Sequence, residues 1–331
     1  MRVLPKLNRS EGGKRRPRRL RAIAVLPTMA TLGNLLCGFA AIHFCMRALF
    51  AAGGGLYPLE IGPRESVLLE RILPSYLAMA GYLIFLAMLF DTLDGRLARL
   101  ARRTTEFGGQ LDSISDMVSF GLAPAMLMLA LLSRQLEGEW LVTPLGDTFG
   151  RAAWITAAMF VGCAALRLAR YNVENEPGEQ RRNYFKGLPT PAAASVLASL
   201  VILHEWVFVL ESQNQQLHGS RVSQELVKAL PVVALLLGLL MVSRIRYVHF
   251  GNVFLGGRKP IVHVVLLMVM LLLVVLRPEI ALTTYLLLYA VSGPVLSAVR
   301  RFRRREAQPA AGEAADAAQT PQQRISKDGP A

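Results

Sequence analysis

The chain has 331 residues, of which 53% are hydrophobic and only 18% are charged, and its formal net charge is +14. This composition excludes an ordinary soluble enzyme and is typical of a protein that crosses a membrane several times. The basic residues crowd around the hydrophobic segments, which favours a role in membrane topology over nucleic-acid binding. We therefore predict an all-α polytopic membrane protein with about eight transmembrane helices.

The first element in chain order is a basic stretch over residues 1–25, with arginines but no aromatic residue at its heart. This pattern predicts a disordered tail near an anionic membrane surface and no nucleic acid as partner. The first transmembrane span is predicted over 27–50. Within it, Thr31, Asn34 and Gly38 share one helix face, where they either mediate helix packing or face a ligand.

Seven further apolar segments follow, and each is long enough to cross a membrane. They cover about 74–100, 106–133, 150–171, 188–210, 227–247, 260–276 and 280–299. Residues 303–331 are rich in Ala, Gln and Pro, which predicts a disordered C-terminal tail. We treat 26–302 as one transmembrane domain.

An even number of spans places both termini on the same side of the membrane. Lys and Arg concentrate in the N-terminal tail and in the segments that the predicted topology places on that side: 96–103, 167–186, 244–259 and 300–305. By the positive-inside rule this side is cytoplasmic. The sequence thus predicts a multi-pass protein of the cell (inner) membrane with cytoplasmic termini.

Four aspartates stand close together between two strongly apolar segments: Asp91, Asp94, Asp112 and Asp116. Spacings of i,i+3 and i,i+4 place each pair on one face of its helix. If the two helices form a hairpin, the carboxylates converge and repel one another unless cations neutralise them. Oxygen ligands suit Mg²⁺, Mn²⁺ or Ca²⁺, and two divalent ions balance four negative charges.

Two glycines and an arginine on the same helices fit a phosphate-containing ligand. Gly95 and Gly108 have no side chain on the aspartate faces, so a substrate can approach the helix backbone there. Arg99 lies two turns from Asp91, where a guanidinium can bind phosphate. The alternative is that these aspartates are helix-end charges reaching water, which explains one or two of them but not four on matched faces.

The pattern D-x2-D-G-x2-A-R-x8-G-x3-D-x3-D, from Asp91 to Asp116, is the signature of the CDP-alcohol phosphatidyltransferases, and the chain resembles this family at all eight positions. The family transfers a phosphatidyl group from a CDP-linked lipid to an alcohol and releases CMP. The resemblance implies a six-helix core, with two predicted spans outside it, and a homodimer. It implies two divalent cations, Mg²⁺ or Mn²⁺, bound by the four aspartates. Asp116 is then also the general base for the acceptor hydroxyl.

The resemblance also places the CDP group beside the remaining motif residues. Residues assigned to CDP or its phosphates are Gly95, Ala98, Arg99 and Gly108 and, from the first span, Thr31 and Asn34.

The acceptor alcohol is indicated by sequence around the motif. Blocks at 31–39, 107–125, 165–172 and 187–194 resemble the branch of the family that uses L-serine, the membrane-integral phosphatidylserine synthases. The implied substrates are CDP-diacylglycerol and L-serine.

A zwitterionic acceptor needs a cation for its carboxylate. Arg167 and Arg170 are the main candidates, and Lys186 is a third; ordinary topology charge is the alternative for each. Ser113, with Ser115 and Ser119, either hydrogen-bonds the substrate or packs between helices.

Other functions remain open at this stage. The same chemistry fits glycerol 3-phosphate, inositol phosphate, choline or an archaeal-type lipid donor, and Arg102 and Arg103 do not exclude a phosphorylated acceptor. A cation-coupled transporter predicts carboxylates near the middle of the membrane on broken helices, whereas these lie near helix ends. A scaffold without catalysis does not explain an intact motif.

Overall fold

In the computed structural model, described residues are 18–50, 75–100, 106–135, 148–174, 184–213, 221–248, 268, 271–273 and 275–319. Their helices are α1 (Arg18–Phe50), α2 (Tyr76–Leu100), α3 (Glu106–Asp116), α4 (Ala123–Gln135), α5 (Thr148–Glu174), α6 (Thr190–Gln213), α7 (Arg221–Val242) and α8 (Pro278–Gln319). A π-helix, Met117–Leu122, joins α3 to α4. Strands β1 (Tyr184–Lys186) and β2 (Arg246–Val248) lie beside α6 and α7.

The described part of the chain contains seven segments that are long and apolar enough to span a membrane. These are Leu26–Phe50, Tyr76–Leu97, Phe107–Gln135, Thr148–Val173, Thr190–Val209, Ser223–Val242 and Pro278–Arg300. The all-α polytopic class is confirmed. Most of the span predicted over 260–276 lies outside the described residues, so the count of eight stays a prediction.

Three predicted boundaries differ from the structure. Helix α1 begins at Arg18, inside the segment expected to be a disordered tail, because the arginines and leucine before the span are good helix formers. Helix α8 continues to Gln319, so 303–319 are helical; this stretch is rich in Ala, Arg and Glu, which also favour helix. Helix α7 ends at Val242 rather than near 247, because 246–248 form β2.

The two strands fold the chain between α5 and α6 back onto the end of α7. They pair antiparallel, with Phe185 opposite Tyr247. After β1, Gly187 adopts φ 79°, and its amide donates to the Ile245 carbonyl at 2.7 Å. A Cβ here would overlap the carbonyl oxygens of Met241 and Ser243, so the position requires glycine. This turn fixes where α6 begins, beside the aspartates' end of the bundle.

Helix α1 packs closely against α2, the π-helix and α4, and much of the core between them consists of small residues. Ala41, Cys45, Ala80 and Ala87 are fully buried. Small side chains let helices approach in a membrane, where dispersion and hydrogen bonds replace the hydrophobic effect as the packing force.

The closest of these contacts is between Gly38 of α1 and Ser119 of the π-helix. A Cβ on Gly38 would overlap Oγ and Cα of Ser119, so Gly38→Ala must push the two helices apart. Overpacking of this kind costs ~1–3 kcal/mol. We expect Gly38→Ala to lower the thermal unfolding temperature in detergent and to reduce activity at least tenfold, because the separation also disturbs the site described below.

Gly33→Ala is the matched control on the same helix. The atoms nearest to its added Cβ belong to the Phe90 ring, at 3.0 Å, and a ring can shift by a few tenths of an ångström. We expect a clearly smaller loss of stability and activity. Equal effects of the two substitutions would show that the Gly38 contact has no special role.

Candidate active site

The structure brings three of the four aspartates together at one end of the bundle. Carboxylate oxygens of Asp91 on α2 and of Asp112 and Asp116 on α3 lie within 4.8 Å of one another. The predicted convergence of the two helix faces is thus observed. Asp94, one turn after Asp91, is 6% exposed and interacts electrostatically with Asp112, so it lies at the edge of the same cluster.

The donor atoms of this cluster fit divalent cations. Asp94 Oδ2 and Asp112 Oδ1 are buried and have no hydrogen-bond partner among the described residues. Buried carboxylate oxygens without partners are costly, and the several negative charges here repel one another. A hard cation bound here would coordinate the unpartnered oxygens and neutralise the repelling charges. Mg²⁺ and Mn²⁺ suit this place because they prefer oxygen ligands. The four carboxylates on this pair of helices therefore fit the two divalent cations that the motif implies.

Asn34 of α1 holds the last aspartate of the motif. Its side chain is fully buried, and Nδ2 donates a 3.0 Å hydrogen bond to Asp116 Oδ1. Its Oδ1 is buried without a partner in the described part of the protein. The amide therefore orients the Asp116 carboxylate and leaves an acceptor facing the same region.

Two serines attach α1 to the aspartate-bearing segment. Ser115 Oγ donates to the Thr31 carbonyl at 3.0 Å, and Ser119 Oγ donates to the Asn34 carbonyl at 2.9 Å. Both hydroxyls are buried, and each bonds the backbone of a neighbouring helix. Of the two roles left open by the sequence, these bonds correspond to helix packing. The two hydrogen bonds fix the position of α1, along its axis, relative to Asp116.

The π-helix begins directly after Asp116. Pro124 follows its end and lacks the amide hydrogen that would bond the Phe120 carbonyl in an α-helix. The regular ladder is interrupted there, and the preceding turn widens. The distortion takes the form of a π-helix that buries Ser119, Phe120 and Gly121.

Arg167 on α5 lies near enough to the aspartates to interact with them electrostatically. Its Nη1 donates a 2.6 Å hydrogen bond to Thr190 Oγ1, at the first residue of α6. Its guanidinium also interacts electrostatically with Asp116 and Asp91. Its Nε is buried and has no hydrogen-bond partner in the described segments. Arg167 thus has one nitrogen anchored on Thr190 and a buried Nε without a partner in the described part of the chain.

Arg170, one turn further along α5, has a different environment. Its Nη1 donates to the Val242 carbonyl at 2.9 Å. Val242 is the last residue of α7, where helix carbonyls lack partners within the helix. Arg170 therefore completes the end of α7 and also carries a favourable charge for the helix dipole.

The remaining predicted site residues are placed as follows. Ser113 Oγ donates to the Gly109 carbonyl at 3.0 Å and accepts from Asn172 Nδ2 at 2.8 Å, which joins α3 to α5. The Thr31 hydroxyl donates to the Pro27 carbonyl and lies beside Asp94. Gly108 lies in the first turn of α3. The side chains of Ala98, Arg99 and Lys186 lie outside the described residues, so their roles stay predictions.

Gly95 offers a direct test of substrate approach. It is exposed, and a Cβ added there would meet no protein atom within 4 Å. Gly95→Ala should therefore fold normally and even gain about 1 kcal/mol of helix propensity. If CDP approaches the backbone here, we expect activity to fall at least tenfold, mainly through a higher KM for the CDP-linked donor in steady-state kinetics.

Gly162→Ala on α5 is the control, because its added Cβ would also meet nothing within 4 Å. Both variants should be as stable as the parent, but Gly162→Ala should keep full activity. Full activity in Gly95→Ala would remove Gly95 from the substrate site.

The geometry thus defines a class of protein: a polytopic membrane protein with a cluster of carboxylates where two of its helices meet. Residues 24–240 match the family described as CDP-alcohol phosphatidyltransferase. This match covers well over half of the chain, and the protein belongs to that family. Members of the family depend on a divalent metal.

Several curated relatives are each named CDP-diacylglycerol–serine O-phosphatidyltransferase. The protein of Helicobacter pylori (strain ATCC 700392 / 26695) is 33% identical over 215 residues, which cover 65% of this chain and 78% of the relative. That of Methanocaldococcus jannaschii is 36% identical over 170 residues, 51% of this chain and 64% of the relative. That of Saccharomyces cerevisiae is 35% identical over 132 residues, 38% and 42% of the two chains.

Proposed function

We propose that the protein transfers the phosphatidyl group of CDP-diacylglycerol to the hydroxyl of L-serine, which gives phosphatidylserine and CMP. One observation supports this most directly: the guanidinium of Arg167, whose Nε is buried without a partner among the described residues, interacts electrostatically with Asp116 and Asp91 of the carboxylate cluster. A carboxylate cluster alone fits any acceptor of the family. A cation beside it fits an acceptor that carries its own carboxylate.

The reaction needs one bond to form and one to break. The serine hydroxyl oxygen bonds to the phosphorus that carries diacylglycerol, and the bond from that phosphorus to the bridging oxygen breaks. The bridging oxygen leaves with CMP. Asp116, held by Asn34, takes the hydroxyl proton, so that the nucleophile becomes an alkoxide only as it attacks.

We assign the metal ligands to Asp91, Asp94, Asp112 and Asp116, with two Mg²⁺ or Mn²⁺ ions as cofactors. Bound there, divalent ions would polarise the phosphoryl oxygens and stabilise the departing CMP. Asp91, Asp112 and Asp116 share the 4.8 Å cluster, and Asp94 adds an unpartnered oxygen at its edge.

For the acceptor we favour Arg167 over Arg170. A guanidinium binds a carboxylate best when two of its nitrogens donate in parallel. Arg167 has an unpartnered Nε within the site, whereas Arg170 is bonded to the Val242 carbonyl. The serine carboxylate at Arg167 would place the serine hydroxyl on the side of Asp116.

The donor's acyl chains require an active site open to lipid, and its nucleotide requires an aqueous side. We propose the cell (inner) membrane, with the aspartates and both termini on the cytoplasmic side, as the distribution of Lys and Arg indicates. We also propose a homodimer and a single transmembrane domain over 26–302.

An acceptor screen tests the proposal. Purified protein in detergent, with CDP-diacylglycerol and Mg²⁺ or Mn²⁺, is offered L-serine, glycerol 3-phosphate, inositol phosphate or choline, and CMP release is measured. We expect release with serine alone. Release with another alcohol would keep the chemistry and overturn the acceptor. If folded protein released no CMP with any acceptor in the presence of metal, the proposed enzymatic activity would be overturned and a transporter or scaffold would be favoured.

A further inference from the structure

We propose that Tyr289 on α8 is a further acceptor-binding residue, whose hydroxyl binds the serine carboxylate together with Arg167. This inference rests on the function proposed above and adds a specificity residue to it. Tyr289 lies beyond residues 24–240, the part of the chain that matches the family. The last helix would thus contribute directly to the site.

Helix α8 is attached to the site end of the bundle by a second tyrosine. Tyr247 of β2 is 1% exposed, and its hydroxyl donates to the Ala290 carbonyl at 2.9 Å. Its ring lies so close to Gly293 that a Cβ on this glycine would overlap ring atoms. Because the Tyr247 phenol packs against Gly293 and bonds the Ala290 carbonyl, it fixes both the rotation of α8 and its position along the helix axis.

The same contact sets the position of Tyr289. Its ring lies against that of Tyr247, with centroids 5.8 Å apart and planes tilted by 46°. Because β2 pairs with β1, and β1 leads through Gly187 into α6, this ring is tied to the segment that carries Thr190. Thr190 is in turn the hydrogen-bond partner of Arg167.

Tyr289 is also coupled electrostatically to Arg167. The Arg167 guanidinium interacts electrostatically with Tyr289 as well as with Asp116 and Asp91. Tyr289 is half-buried, and no hydrogen bond joins its hydroxyl to the part of the chain described by the structure. The phenol hydroxyl of Tyr289 and the unpartnered Nε of Arg167 would together provide two donors for one carboxylate.

The chemistry of the donors explains why a tyrosine suits this place. A neutral phenol donates a hydrogen bond to a carboxylate without adding a second positive charge beside the metal-binding cluster. Hydrogen bonds to a charged group are among the stronger ones, and losing one corresponds to about a tenfold or larger change in affinity.

The test is Tyr289→Phe in full-length protein, assayed for serine-dependent CMP release with both substrates varied. We expect the KM for L-serine to rise about tenfold, with the KM for CDP-diacylglycerol and kcat changing less than about twofold. The phenyl ring keeps the packing on Tyr247, so the unfolding temperature should not change. Tyr285→Phe, one turn away on α8, is the matched control and should leave the serine KM unchanged.

The outcomes separate this inference from the proposed function. If the parent protein shows no serine-dependent release, the proposed function fails first. If the parent uses serine, the inference is overturned by an unchanged serine KM in Tyr289→Phe, by equal rises for both substrates, by a change in kcat alone, or by a fall in stability.

Discussion

Asp116→Asn is expected to reduce serine-dependent CMP release by at least about 10³-fold. Asp116 is assigned both a metal bond and the proton of the acceptor hydroxyl; an amide cannot take that proton, and its neutral oxygen is a weaker metal ligand than a carboxylate. The substitution conserves shape, and Oδ1 of the new side chain can still accept from Asn34 Nδ2. Steady-state CMP release and the thermal unfolding temperature should be measured on the same protein. CMP release should be almost lost, whereas the unfolding temperature should not change.

Glu225→Gln is the matched control for Asp116→Asn, because it makes the same chemical change on α7. Glu225 is largely exposed and pairs with Lys228 at 3.1 Å. An exposed pair of this kind contributes little, so activity should be unchanged. If Asp116→Asn retained more than about a tenth of the parent activity, Asp116 could not be the base.

Arg167→Lys is expected to raise the KM for L-serine about a hundredfold. Lysine keeps the charge but loses the planar pair of donors, one of which is anchored on Thr190 and the other free for substrate. The KM for CDP-diacylglycerol should change much less. The measurement is initial rate against serine concentration at saturating donor.

Arg170→Lys is the matched control for Arg167→Lys, because it makes the same substitution one turn further along α5. We expect it to lower the unfolding temperature, because the bond to the Val242 carbonyl is disturbed, while the serine KM stays near that of the parent. The opposite result, with Arg170→Lys raising the serine KM and Arg167→Lys leaving it unchanged, would place the acceptor carboxylate elsewhere.

The aspartate cluster could be predicted because residues close together in the sequence determine it. Spacings of three and four residues fix which side chains share a helix face, and a short connection between two helices brings the faces together. The contribution of Asn34 was not predictable in the same way. Its bond to Asp116 spans 82 residues of sequence, and it depends on how deeply α1 packs against the π-helix at Gly38.

The different roles of Arg167 and Arg170 could not be predicted from the sequence either. Both follow the same apolar helix, one turn apart, and either could face the aspartates from spacing alone. Packing of α5 against α6 and α7 decides between them, since it turns Arg167 to Thr190 and Arg170 to the end of α7. Tyr289 carries no sequence signal beyond being an aromatic residue in a membrane helix.

The short strands and the long last helix were missed for a different reason. Strands of three residues, such as Tyr184–Lys186, show no useful periodicity. Gly187 was the one local signal, because glycine often marks a turn that needs positive φ. The helix through Gln319 was missed because polarity was weighed above helix propensity.

The central claim is that a serine hydroxyl attacks phosphorus at the aspartate site. Purified protein, CDP-diacylglycerol and Mg²⁺ or Mn²⁺ should be incubated with L-serine labelled with ¹⁸O in its hydroxyl, and both products analysed by mass spectrometry. The account predicts phosphatidylserine that retains ¹⁸O and CMP that contains none. Phosphatidic acid in place of phosphatidylserine, ¹⁸O in CMP, or no product from folded protein would contradict it.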